Sequence, residues 1–268
     1  MTNDCWRGKW ALVTGASSGI GLAFSEELAS GGANLVLTAR RKERLLNLGR
    51  RLHAKCGVQV KIVAADLVEK RAPRQIFDFT SKRNIRIDLL VNNAGVGSYG
   101  EFRKSAAGRE LAIVQVNCSA VVQLTHLFLP AMVKRRSGDI LIVASTAAYQ
   151  AVPYMATYGA SKAFDLMFAE ALACEVEPYG LRVCALCPGP TTTEFMHVAR
   201  VPQGKAINVE PADQVARLGL RALAAGERSV ISGLANWVGV EVQRIAPRRL
   251  VTSAAELLLR PPGVRRPV

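Results

Sequence analysis

Short apolar runs alternate along this chain with longer stretches whose apolar positions recur at helical spacing. The runs at 10–13, 34–38, 59–64, 88–91, 139–144, 181–187 and 229–232 are short and rich in Val, Leu, Ile and Ala. Hydrophobicity that is continuous rather than alternating marks strands buried on both faces. The stretches at about 19–30, 41–55, 70–83, 108–135, 156–177 and 211–225 predict helices. Strands and helices in alternation imply βαβ units and a parallel sheet. With right-handed crossovers, the expected fold class is α/β: a doubly wound Rossmann-type sheet of about seven strands with helices on both faces.

No Pro/Ser linker or internal repeat divides the sequence, so residues 1–268 read as one domain. Regular alternation stops near residue 190. The segment at about 190–210 follows a strand end, a common place for a substrate-covering loop, and about 238–268 forms an apolar and basic extension. Half of the residues are hydrophobic, enough for a substantial core at this length.

The formal net charge of +14 raises the question of a nucleic-acid partner. The Lys and Arg residues are scattered, however, and no recognised binding motif accompanies them, so none is expected. Local basic clusters stand at Arg40-Arg41-Lys42 and in the stretch from Arg244 to Arg266. The N-terminus shows no apolar h-region with a small-residue cleavage site. No uncharged stretch approaches the roughly 18–20 apolar residues of a spanning helix, and the expectation is a cytoplasmic protein. Six cysteines show no disulfide rhythm. Cys184 and Cys187 are three apart within a predicted strand and so point to opposite faces, which argues against a shared metal. The histidines His53, His126 and His197 show no ligand spacing either, and no metal site is expected.

The first strand runs into Thr14-Gly15-Ala16-Ser17-Ser18-Gly19-Ile20-Gly21, and a helix follows. Glycines allow a tight turn and a close backbone approach, and the helix N-terminus offers N–H groups to a pyrophosphate. The spacing is G-x-x-x-G-x-G. Further motifs stand in order: Asn92-Asn93-Ala94-Gly95 after the fourth strand and Asn117 within the long helix. Ser145 ends the fifth strand, Tyr158-Gly159-Ala160-Ser161-Lys162 opens the next helix, and Pro188-Gly189-Pro190-Thr191-Thr192-Thr193 follows the sixth strand. Over roughly residues 9–195 this series resembles the short-chain dehydrogenase/reductase family.

At the end of the second strand, Ala39-Arg40-Arg41 supplies no carboxylate of the kind that binds an NAD ribose. A guanidinium there suits a 2′-phosphate, so the expected cofactor is NADP(H), with Arg40 and Arg41 as its readers. The resemblance implies that Gly15, Ser17, Ser18, Gly19, Ile20 and Gly21 hold the pyrophosphate side. It implies that Asp66 and Leu67 flank the adenine, and that Asn93, Ala94 and Gly95 line the adenosine side. It also brings Pro188, Gly189, Thr191 and Thr193 to the nicotinamide carboxamide or a phosphate.

Tyr158 and Lys162 stand four apart on a predicted helix and share one face. A free tyrosine ionises near pH 10, and a neighbouring ammonium favours its phenolate. The pair is therefore suited to give a proton to a carbonyl oxygen or take one from an alcohol while hydride moves at the nicotinamide. The resemblance adds Ser145 as the group that holds the substrate oxygen, and Asn117 as the holder of a water linked to Lys162.

The expected function is thus NADP(H)-dependent oxidoreduction of a carbonyl or secondary alcohol. In the resembled family, reductases acting on acyl-carrier proteins commonly close on an Asp-Gly-Gly-type tail; this chain has Ile231-Ser232-Gly233-Leu234-Ala235-Asn236 instead, and the resemblance then implies a lipophilic ketone, steroid or acyl substrate. The competing reading is a cofactor-binding regulatory protein without turnover, against which all four polar positions are filled. An extended-type epimerase would be longer and differently spaced at its glycines. The apolar positions Phe164, Met167, Phe168, Ala171 and Leu172 suggest a homodimer or homotetramer as well as core packing. From Val238 onward, apolar and basic residues mix. That suits a helix covering the cleft or extending the subunit contact, the preferred reading because Pro247 breaks the segment, or else peripheral membrane contact.

Overall fold

The computed structural model describes residues 3–202 and 208–264. Seven parallel strands form one sheet: β1 (Trp10–Thr14), β2 (Asn34–Ala39), β3 (Val60–Ala64), β4 (Ile87–Asn92), β5 (Asp139–Val143), β6 (Arg182–Cys187) and β7 (Ser229–Ile231). Their order is β3-β2-β1-β4-β5-β6-β7, with every neighbouring pair parallel. The direction of winding reverses between β1 and β4. In an open sheet of this kind the ligand crevice lies there, beyond the carboxyl ends of the strands.

The helices are α1 (Gly19–Ser30), α2 (Lys42–Cys56), α3 (Ala72–Ser81), α4 (Ala107–Val114), α5 (Ala120–Lys134), α6 (Ala156–Val176), α7 (Phe195–Ala199), α8 (Ala212–Ala225), α9 (Leu234–Ile245) and α10 (Arg248–Leu259). Successive strand residues supply opposite faces. Ala11 and Val13 pack with Phe24 and Leu28 of α1, Leu45 of α2 and Leu220 of α8. Leu12 and Leu90 pack on the other side with Ile76 of α3, Leu124 and Phe128 of α5, and Leu166 of α6. Cys184 and Cys187 fall into these two separate cores, as their spacing requires.

Two expectations need correction. The predicted helix at 108–135 is not continuous: a π-helical turn, Gln115–Ser119, separates α4 from α5 and contains Asn117. The stretch Ala107–Lys134 is also long and apolar enough, by length and composition, to cross a membrane. Its sequence lacks Lys, Arg, Asp and Glu from 111 to 133, although Asn, Gln, Ser, Thr and His interrupt its apolar residues. Val116, Ala120, Val121, Leu124, Phe128 and Met132 from this stretch are in the sheet core.

The extension at 238–268 begins inside α9, and Pro247 separates α9 from α10. Residues 203–207 of the expected substrate loop, and 265–268 of the extension, lie outside the described residues.

Candidate active site

The site begins where β1 and β4 end side by side. Thr14 Oγ1 donates to the carbonyl of Val91 and accepts from the backbone N–H groups of Asn93 and Ala94, both at 2.9 Å. The Asn93 amide donates back to the Thr14 carbonyl at 2.7 Å. These bonds draw the turn after β1 tightly onto the end of β4. Gly15 has φ +67° and Gly19 has φ +55°, a region that costs an L-residue strain. A Cβ at Gly15 would stand 2.8 Å from the Asn93 amide nitrogen, and one at Gly21 would collide with that atom and with the Gly15 carbonyl. Ser18, in extended conformation, precedes α1 without a side-chain hydrogen bond into it. The turn is a cradle made from backbone at a helix N-terminus, and it fits the pyrophosphate of a dinucleotide.

At the end of β2 the Arg41 guanidinium reaches over this turn, 2.7 Å from Ser18 Oγ and 3.1 Å from Ser17 Oγ. It also pairs with Glu194 at 2.7 Å, and Arg44 binds the other oxygen of the same carboxylate at 2.6 Å. Hydrogen bonds first from Arg44 and then from Arg41 hold the Glu194 carboxyl down at about 2. Arg40 is more exposed and stands 4.0 Å from Asp66.

Tyr158 and Lys162 project from the first turns of α6 toward the ends of β4 and β5. Tyr158 is half-buried, with its ring centre 5.1 Å from that of Phe195. Lys162 is buried; its Nζ donates to the Val143 carbonyl at 2.7 Å and to Asp165 Oδ2 at 2.9 Å. Burial opposes the Lys162 charge, yet Asp165 and then Tyr158 together raise its pKa above the ordinary lysine value. Ser145 Oγ accepts from the Ala147 N–H at 3.1 Å and lies 3.4 Å from the Pro188 carbonyl.

Asn117 is completely buried. Its Oδ1 accepts from the Val96 N–H at 2.9 Å, while Nδ2 donates to the Val96 carbonyl and to Ser161 Oγ at 3.0 and 2.9 Å. Asn117 lies within the π turn, and its side chain faces the loop after β4.

All of these converge on one cleft of about 490 Å³. Its walls include Gly15, Ser17, Ser18, Gly19, Ile20, Arg40, Arg41, Asp66, Leu67, Asn93, Ala94, Gly95, Ser145, Tyr158, Lys162, Pro188, Gly189, Thr191 and Thr193. Two expected residues do not line it. Gly21 sits behind the turn, where only a residue without a side chain fits, and Asn117 lies behind Val96. Thr191 is turned back onto the Gly189 carbonyl, and Thr193 caps the start of α7 through the Phe195 N–H. Gly189 is needed as glycine because the Asn236 amide of α9 presses against it.

The sequence reading missed several wall and support residues. Val152, Met155, Phe195, Met196, Val201 and Leu259 form an apolar lobe beside Tyr158. Leu259 arrives there only because Tyr99 donates to its carbonyl at 2.6 Å and Tyr154 holds Glu256 at 2.8 Å. No local pattern announces these tertiary meetings. Asp165 did leave a signal: an acid three residues after Lys162, on the stripe of α6 otherwise occupied by Leu166, Ala169 and Leu172.

Comparison with known proteins matches the same architecture. The family model described as short chain dehydrogenase matches residues 9–203. The chain is 32% identical over 259 residues to the 17-beta-hydroxysteroid dehydrogenase type 3 of Mus musculus, covering 94% of this chain and 81% of the mouse protein. A short-chain dehydrogenase from Sphingobium yanoikuyae, solved in complex with NADPH, is 31% identical, with a TM-score of 0.80 over 88% of this chain and 93% of that one. A 7beta-hydroxysteroid dehydrogenase structure superposes with a TM-score of 0.85 at 26% identity, covering 95% of this chain and 99% of that one. Sheet order, glycine turn, tyrosine–lysine helix and these likenesses agree, and the chain belongs to the short-chain dehydrogenase family of oxidoreductases.

Proposed function

We propose that this oxidoreductase uses NADP(H) to interconvert a lipophilic ketone and its secondary alcohol, with Tyr158 as the proton-transferring residue. The observation that carries this reading is the composition of the one cleft. Its nucleotide side ends in Arg40 and Arg41, and its Tyr158 side opens onto the apolar lobe of Val152, Met155, Phe195, Met196, Val201 and Leu259. NADP(H), when bound, supplies or accepts hydride.

The chain's own residues do the rest. In reduction, Ser145 Oγ donates a hydrogen bond to the carbonyl oxygen and aligns it with Tyr158. The Tyr158 hydroxyl gives its proton to that oxygen as negative charge develops there. Lys162 stabilises the phenolate left behind and reaches the nicotinamide ribose. Asn117, tied to both backbone groups of Val96 and to Ser161, fixes the loop that faces Lys162 and holds the water of a proton relay. Arg40 and Arg41 bind the 2′-phosphate. Gly15, Ser17, Ser18, Gly19 and Ile20 cradle the pyrophosphate, with Gly21 allowing the turn to close. Asp66 and Leu67 flank the adenine, and Asn93, Ala94 and Gly95 line its ribose. Pro188, Gly189, Thr191 and Thr193 bound the nicotinamide.

The substrate class is supported by the relatives named as hydroxysteroid dehydrogenases and by the apolar lobe. The tether of Tyr99 and Tyr154 to α10 favours the cleft-cover role of the extension over a membrane-surface one.

The test is turnover of bulky ketones with NADPH and NADH side by side, in the unaltered protein and in Arg41→Ala. NADPH is expected to be preferred. Arg41→Ala is expected to weaken NADPH binding by about 1.5–3 kcal/mol, the worth of a charged hydrogen bond, and to leave NADH nearly untouched. Equal affinity for both cofactors in the unaltered protein refutes the NADP assignment.

A further inference from the structure

Asp165 is 1% exposed and lies three residues beyond Lys162 on α6. One oxygen, Oδ2, accepts from Lys162 Nζ at 2.9 Å, while Oδ1 is buried with no hydrogen-bond partner among the described residues. An ion pair that serves structure alone gains stability only when its remaining lone pairs are also satisfied. Here one is left bare in the core. The arrangement costs stability, and the residue that benefits is the lysine of the site.

An ammonium has three protons to donate. The Val143 carbonyl takes one and Asp165 takes another. The third is left for the side of Gly95, where a Cβ would stand 3.5 Å from Nζ. Asp165 therefore fixes the rotation of the ammonium as well as opposing its charge.

The other ionisable groups around the pair are Tyr158 on the same helix, Cys118 on the π turn, and Cys187 at the end of β6, with Tyr149 of the turn after β5 bonded to it. Burial, aided by Asp165, pushes the Cys118 thiol up to about 11, and burial pushes Cys187 up to about 12. Burial also raises Tyr149. Glu170, farther along α6, is bonded to Ser229 Oγ. Burial raises the Asp165 carboxyl above the ordinary carboxylate value, and the Lys162 ammonium beside it opposes that rise. Near neutral pH the thiols and Tyr149 are uncharged, so the field at Tyr158 is set chiefly by the ammonium and by the carboxylate behind it.

We propose that Asp165 is a positioning residue that offsets the Lys162 charge and so biases Tyr158 toward its protonated form, the form that donates in carbonyl reduction. The proposal rests on the role assigned to Tyr158 above. With the carboxylate present, Lys162 still stabilises the phenolate, but Asp165 offsets part of its charge. With the carboxylate removed, an unopposed ammonium stabilises the phenolate, and the proton leaves at lower pH.

The experiment compares the unaltered protein with Asp165→Asn, Asp165→Leu and Asp165→Glu. Two readouts are taken: the pH profile of alcohol oxidation with NADP⁺, and ultraviolet difference titration of the phenolate in the NADP⁺ complex, each protein against its Tyr158→Phe counterpart. Both midpoints are expected to move acid-ward by about one pH unit in the Asn and Leu variants, the low end of the range for a neighbouring ammonium acting unopposed. Asp165→Glu is expected to stay near the unaltered value. Folded Asn or Leu variants whose midpoint matches the unaltered protein overturn the proposal. So does failure of both neutral variants to fold, which assigns Asp165 a structural role. If no ketone or alcohol turns over but the titration midpoint moves as stated, the role of Asp165 stands and the substrate reading falls.

Discussion

Tyr158 occupies a half-buried position in the first turn of α6, one turn before the buried Lys162 and beside the ring of Phe195. Its proposed work needs the hydroxyl and not merely the ring. Tyr158→Phe keeps the aromatic contact, so NADPH affinity, followed by fluorescence titration, is expected to stay within a few-fold. Turnover should fall by about 10²–10⁴, the range for loss of a positioned proton donor. Retention of most activity would remove Tyr158 from the chemistry. Asp165, by contrast, illustrates a residue whose type was visible in the sequence but whose effect was not. Its meaning depends on burial, since the same carboxylate in water would contribute little to Lys162.

At the scale of elements, α10 decides the shape of the substrate side. Its last residue, Leu259, lines the cleft and is held there by Tyr99 at 2.6 Å. The helix is fastened at its other contact by Tyr154, a non-glycine residue at φ +66° whose hydroxyl donates to Glu256. Leu259→Ala removes apolar surface from the lobe without approaching the nucleotide cradle. We expect KM for a bulky lipophilic ketone to rise roughly three- to ten-fold, the effect of losing about 1 kcal/mol of apolar contact. A small ketone should be almost unaffected, and NADPH binding unchanged. An equal rise for small and bulky ketones would show that Leu259 shapes the whole cleft and not a pocket for bulk. The short α7 belongs to the same cover. Glu194 at its start is gripped by Arg41 and Arg44, so the wall of the substrate side is tied to Arg41, one of the two arginines proposed to read the 2′-phosphate.

For the whole molecule, the outer faces of α4, α5 and α6 carry apolar residues that the sheet does not use. Leu111, Val114 and Val122 are exposed on the first two helices, and Phe164 and Met167 on the third, while Leu172 of the expected contact stripe is in the core. Exposed apolar surface on adjacent helices is the kind of face that a two-fold axis closes. We infer a homodimer through it, with tetramer formation as the alternative assembly. Met167→Glu places a charge at its centre and is expected to yield monomer by light scattering at micromolar concentration, with the cleft intact. An unaltered protein that is monomeric at that concentration would exclude this assembly.

Much of the architecture was legible in the linear pattern because its causes are local. Continuous apolar runs such as 139–144 and 181–187 can be buried on both faces only in a covered parallel sheet. The glycine turn after β1 and the four-residue step from Tyr158 to Lys162 are likewise settled by backbone geometry over a few positions. The spacing of Cys184 and Cys187 alone placed them in different cores. What tertiary structure decided depends on meetings between distant residues. Asn117 sits in a π turn with its side-chain amide bonded to Val96 and Ser161, 21 and 44 positions away. Arg41 became tied to Glu194, 153 positions away, and Leu259 came to face Tyr158 across some hundred residues of chain. Hydrogen bonds and apolar contacts of that range are selected by the packed fold as a whole. For that reason the sequence by itself determined the sheet, the cofactor turn and the pair of residues proposed for proton transfer, and the folded chain determined the pocket they serve.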